Sequence, residues 1–122
     1  MAEHNSLGKW GERIAEDYLV SKGYAIADRN WKSGNIEIDL IGFYNNHVVF
    51  IEVKTRRVHY DHPEDAVDRR RMARMVRAAD AYIRKCNLPH GVQYDIIAVT
   101  GDPHEYRVHH IPDAFYPRLR MR

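Results

Sequence analysis

The sequence predicts a mixed α/β fold, a central β-sheet flanked by helices, with elements in the order α-β-β-β-α-β-β. Three observations carry this. Residues 6–22 place apolar side chains at helical spacing. Residues 35–43 and 47–55 are apolar-rich runs joined by Asn45-Asn46, the pattern of a tight hairpin. Residues 65–86 form a second, basic helical stretch, and apolar runs of strand length follow it.

Each element has its own signal. Ser6 is the expected N-cap of the first helix, Leu7, Trp10, Ile14 and Tyr18 form its apolar stripe, and Gly23 ends it. Residues 24–31 read as a first strand. Val48, Val49, Phe50 and Ile51 are all apolar, as expected of a central strand covered on both faces. Pro63, Glu64 and Asp65 are expected to open the second helix, with proline early and acids in the first turn. Its apolar face is Met72, Met75, Val76, Ala79, Tyr82 and Ile83, and Arg70, Arg74, Arg77 and Arg84 lie opposite. Residues 93–100 read as a buried strand and residues 106–111 as a last one. At 122 residues the chain is expected to be one domain, residues 1–122, with a flexible basic tail at 117–122.

Composition narrows the class. No apolar run approaches the roughly 20 residues that span a membrane. The first residues lack a basic stretch followed by an apolar one, so no secretory signal is expected. A single cysteine, Cys86, leaves no internal disulfide framework and is expected in the core of its helix. A cytoplasmic protein without a membrane partner is expected. Net charge is only +2, but it is unevenly spread. Residues 1–52 hold five Lys/Arg against eight Asp/Glu, and residues 53–85 hold ten against five. A basic segment of that kind suits nucleic acid. A homodimer is compatible with the sequence.

The hairpin is the most informative part. Asparagine tolerates positive φ, so Asn45-Asn46 fits a two-residue type I′ turn. Tyr44 then faces His47, and the register runs on to set Asp39 opposite Glu52 and Glu37 opposite Lys54, all on one face. Two carboxylates about 5 Å apart at an effective dielectric near 20 repel by about 3 kcal/mol. A divalent cation would turn that repulsion into attraction. In this reading Asp39 and Glu52 are metal ligands for a hard cation such as Mg²⁺, held through oxygen. Lys54 would orient the attacking water or neutralise charge on a phosphoryl group. The alternative is a charged hairpin end closed by a Glu37–Lys54 ion pair.

These residues resemble a known family. Asp39, followed by V-V-F-I-E-V-K-T-R from Val48 to Arg56, is similar to the PD-(D/E)XK nuclease superfamily, and to archaeal-type Holliday-junction resolvases in particular. The resemblance is closer to the YraN family of small bacterial resolvase-like proteins. Its G-x-x-G-E-x-x-A-x-x-Y-L runs from Gly8 through Gly11, Glu12, Ala15 and Tyr18 to Leu19. Its G-E-I-D-L-I is matched from Ile36 to Ile41, with Ile36 where the family carries Gly. Ala66-Val67, the basic helix through Ala78-Ala79 to Tyr82, and the stretch Tyr94 to Val99 complete the likeness.

The resemblance implies a three-layer, restriction-endonuclease-like (resolvase-like) fold. It implies a Mg²⁺- or Mn²⁺-dependent nuclease acting on nucleic acid, DNA by analogy, with branched or damaged substrates in view. Glu12 joins Asp39, Glu52 and Lys54 as a catalytic residue on the same grounds. The small neighbours Gly8 and Ala15 leave that edge of the helix thin enough to bring Glu12 towards the sheet. Arg56, Arg57, Arg70, Arg74 and Arg77 are expected to contact phosphates. The competing class is a non-catalytic nucleic-acid-binding or partner-docking module on the same fold. His59-x-x-His62 lacks a second ligand pair, so zinc is not expected. Asp95, inside a buried strand, is expected to have a structural partner.

Overall fold

The structure is a computed structural model that describes residues 2–57 and 68–115, with side chains from residue 6 onward. The expected tail at 117–122, the pair His59 and His62, and the helix start at Pro63, Glu64 and Asp65 lie outside the described residues.

The order is the expected one: α1 (Ala2–Ser21), β1 (Ala25–Ser33), β2 (Ile36–Tyr44), β3 (His47–Arg56), α2 (Arg69–Cys86), β4 (Gly91–Gly101) and β5 (Tyr106–Ile111). The five strands form one sheet in the order β1-β2-β3-β4-β5. Neighbours are antiparallel except β3 and β4, which are parallel and joined across α2. A parallel pair needs such a crossover, and α2 supplies it.

The two helices cover opposite faces. Val48 and Phe50 pack with Met75, Ala78, Ala79 and Tyr82 of α2, whereas Val49 and Ile51 pack with Ala15 and Leu19 of α1. The period of two along β3 thus feeds two cores, giving three layers and explaining why this strand is apolar throughout. The two clusters bury most of the large aliphatic side chains. No helix among the described residues is long and apolar enough to cross a membrane.

Helix ends follow local chemistry. Gly23 takes φ 100°, and the amides of Gly23 and Tyr24 donate to the carbonyls of Val20 and Leu19. That glycine cap lets the chain turn straight into β1. Asn87, at φ 52°, closes α2 in the same way. Three expectations need correction. Ser6 lies inside α1 rather than capping it, because the helix extends back to Ala2. α2 begins at Arg69, not at 65, because Asp68 is extended and its carboxylate accepts the amides of Arg70 and Arg71. Cys86 is exposed, while Ile83 in the same turn packs against the core.

Candidate active site

The turn holds the hairpin as expected. Asn45 and Asn46 take φ of 50° and 62°, and the β2–β3 ladder runs from Tyr44↔His47 to Leu40↔Ile51. The ladder stops there. One residue on, the Asp39 side chain replaces its backbone, and Oδ2 accepts the Val53 amide at 2.8 Å. Ile38 packs on the α2 side and Leu40 on the α1 side, so β2 changes face at Asp39. Across the other edge, Asn30 of β1 takes φ 50° at the same level. The strands part here and open a cleft of about 220 Å³.

Glu12, Asp39, Glu52, Lys54 and Arg56 all line that cleft, together with Thr55 and Arg71. Each element contributes one wall. α1 brings Glu12, whose Oε1 accepts from Asn30 Nδ2 at 3.1 Å. The helix reaches this close because Gly11 lies against Thr55; a Cβ on Gly11 would overlap the Thr55 hydroxyl and methyl. Gly8, by contrast, has open space where its Cβ would go, so the thin edge is made by Gly11 and the fully buried Ala15. β3 brings Glu52 and Lys54, and Lys54 Nζ stands 3.4 Å from Glu52 Oε2.

Two expected details of the register do not hold. Glu37 is paired with Lys32 of β1, and Lys54 turns to Glu52, so the end of the hairpin is not closed by Glu37 and Lys54. Glu37 is also absent from the cleft wall. The cause is the change of face at Asp39, which breaks the simple alternation.

Asp39 and Glu52 are buried, at 7% and 6% exposure. Burial first, and the Glu52 charge second, push the Asp39 carboxyl up to about 8 from its ordinary acidic value, against the Val53 hydrogen bond. Glu52 is neutralised differently. Arg71, in the first turn of α2, places Nε on Glu52 Oε2.

A family model described as "Uncharacterised protein family UPF0102" matches residues 11–99. The chain belongs to the UPF0102 family. A UPF0102 protein of Bacteroides thetaiotaomicron is 47% identical over 120 residues, covering 98% of this chain and 99% of that one. One from Phocaeicola vulgatus is 44% identical over 120 residues, with the same coverage. One from Flavobacterium psychrophilum is 39% identical over 117 residues, covering 95% and 98%. This is the YraN family that the sequence motifs resemble. The UPF0102 match spans every residue of the cleft wall except Leu7 and Gly8.

Of the arginines expected at phosphates, Arg56 lines the cleft. Arg57 is exposed just past the end of β3. Arg70, Arg74 and Arg77 are exposed on α2, outside the cleft wall. Arg84 is tied to Asp80 at 2.7 Å, a local helical pair. Two members of the site, Arg71 and Asn30, were not singled out from the sequence. Arg71 continues the buried row of α2 through Met75, Ala78 and Tyr82, so a cation on the inner face was the signal. Asn30 is marked only by its positive φ, which a sequence does not display.

Chemically, the cleft offers two buried carboxylate groups, a third from α1, and cations on two sides. Among the described residues no group of three or more His, Cys, Asp or Glu is arranged to hold a metal ion. Asp39 and Glu52 supply two such groups. A hard cation that keeps several waters and a substrate phosphate in its shell fits a two-carboxylate donor set of this kind.

Proposed function

We propose that this UPF0102 chain is a Mg²⁺- or Mn²⁺-dependent nuclease that hydrolyses phosphodiester bonds in nucleic acid, with DNA of branched or damaged structure as the substrate. The observation that carries this reading is the pair Asp39 and Glu52. Both are buried at one open cleft, and the Glu52 charge helps to hold Asp39 protonated. Folding keeps an unfavourable pair that a cation would relieve. Asp39 and Glu52 would hold the cation, which when bound supplies charge at the phosphorus. Lys54 faces the same space and would neutralise the negative charge that builds on the transferring phosphoryl group. Glu12, oriented by Asn30, lies across the cleft, where it can accept a proton. Arg56 at the rim would hold a flanking phosphate.

The test is cleavage of junction, flap and single-stranded substrates with Mg²⁺ or Mn²⁺, with Glu52→Ala as control. Metal-dependent cleavage lost in the variant is the expected result. Wild-type protein that cuts none of these substrates counts against the reading. A second reading, a non-catalytic nucleic-acid-binding module, is favoured by one observation: Arg71 already satisfies Glu52.

A further inference from the structure

We infer that Arg71 is a built-in surrogate cation: it pairs with Glu52, competes there with a divalent cation, and transfers to a phosphate of the substrate when that cation takes its place. The inference rests on the metal-dependent reading of the cleft and adds a residue and a coupling that this reading does not contain.

The geometry argues for a mobile role rather than a static ion pair. Glu52 is held: its side chain is 8% exposed, and its backbone pairs with Ile96 of β4. Arg71 is the opposite. Its side chain is 40% exposed and rises from the first turn of α2. Its backbone is fixed, because the Asp68 cap accepts the Arg71 amide at 3.3 Å. The guanidinium can therefore swing about a held point. Arg71 and Glu52 both line the open cleft and also a small cavity on the α2 side, walled by Met72, Met75 and Ile96. Arg71 thus has polar space on the cleft side into which to move.

Charge supplies the logic. With Arg71 on it, Glu52 is compensated and the metal-free fold is tolerable. A cation entering between Asp39 and Glu52 would meet a guanidinium already on Oε2 of Glu52. Like charge then favours departure of Arg71, and a substrate phosphate in that cleft is an anion that a guanidinium can bind through two nitrogens. Cation and phosphate should therefore bind with positive coupling, and coupling of this kind is reciprocal.

The experiment is calorimetric titration of Mn²⁺ into wild type, Arg71→Met and Arg71→Lys, with thermal unfolding of each to establish that it is folded. A nucleoside 5′-monophosphate, which has no diester to cleave, serves as the phosphate probe. Removing the competing charge should tighten Mn²⁺ binding by about ten-fold in Arg71→Met, with Arg71→Lys between. In wild type, saturating Mn²⁺ should strengthen binding of the mononucleotide, and Arg71→Met should lose most of that gain. Equal Mn²⁺ affinity in wild type and Arg71→Met overturns the inference and leaves the nuclease reading standing. Absence of Mn²⁺ binding in all three proteins overturns both. Binding by Arg71→Met alone supports the inference in its strongest form.

Discussion

The side chain of Asp39 takes the amide of Val53 at 2.8 Å, at the point where the β2–β3 ladder ends. A carboxyl group thus does the work of a backbone carbonyl and closes the sheet while keeping its other oxygen free. Burial and Glu52 both oppose charge on Asp39, while the Val53 amide favours it, and the balance lifts its carboxyl to about 8. Asparagine keeps the acceptor and has no charge to suppress. Asp39→Asn should therefore stabilise the metal-free protein at pH 7, by about 2 kcal/mol after discounting the full shift. It should also remove Mn²⁺ binding. Urea unfolding of both proteins in chelator measures the first effect. A destabilised variant would mean that Asp39 is ionised and satisfied without metal.

Gly11 sets the height of α1 over β3. A methyl group there would overlap Thr55, and the cheapest relief is to lift the helix. Gly11→Ala should lower stability by about 1–3 kcal/mol and move Glu12 away from Asn30 and the cleft. Cleavage should fall more than the loss of stability explains, and Thr55→Ala in the same chain should restore part of it. An unchanged rate in a destabilised Gly11→Ala would separate Glu12 from the chemistry.

Asp95 is the third buried carboxylate among the described residues, and it is fully satisfied. It accepts from Tyr24 Oη at 2.8 Å, Gln93 Nε2 at 2.9 Å and the Asp113 amide at 3.0 Å, with His110 Nε2 at 2.7 Å. Burial alone would raise its pKa, but the bonds from His110, Asp113, Gln93 and Tyr24 outweigh it and hold the carboxyl below its ordinary value. A depressed folded pKa contributes stability that is present above the unfolded pKa and is lost as pH falls through the folded one. Unfolding free energy should therefore drop below about pH 4 in wild type. Asp95→Asn should start less stable at pH 7 and show a shallower drop. Parallel curves for the two proteins would show that Asp95 is not the group responsible.

How much of this was legible in the sequence depends on how local the cause was. The hairpin register is fixed by two asparagines with positive φ, so Leu40 to Ile51 could be read directly. The change of face at Asp39 could not, because it arises from a side chain replacing a backbone acceptor and from an irregularity at Asn30 on another strand. The central place of β3 followed from its apolar run. Asp39, Glu52 and Lys54 came from that register, whereas Glu12 needed the family resemblance, and its close approach is made by Gly11 rather than Gly8. Arg71 was masked by its neighbours, as one arginine among Arg69, Arg70, Arg74 and Arg77. Its place four residues before Met75, on the buried row, is what sets it apart. Cys86 looked buried by periodicity but is exposed, whereas Ile83, three residues earlier, packs on the core.

Lys54 gives the sharpest test of the chemistry. Its ammonium stands 3.4 Å from Glu52 Oε2, further than a hydrogen bond of good geometry, and its side chain is 21% exposed. It is a donor and cannot ligate a hard cation while protonated. Glu52 keeps Arg71 as its closer partner, so losing Lys54 does not orphan a buried carboxylate. Folding should tolerate Lys54→Ala, and Mn²⁺ affinity should stay within a few-fold of wild type. Because Lys54 acts where charge develops on the transferring phosphoryl group, the loss should appear in rate rather than in binding. Single-turnover cleavage should fall by about 10² or more. Lys54→Arg, which keeps the charge but changes its shape, should recover little. Cleavage by Lys54→Ala at the wild-type rate would make Lys54 a mere neighbour of Glu52 and would remove the transition-state role from the E-x-K pair.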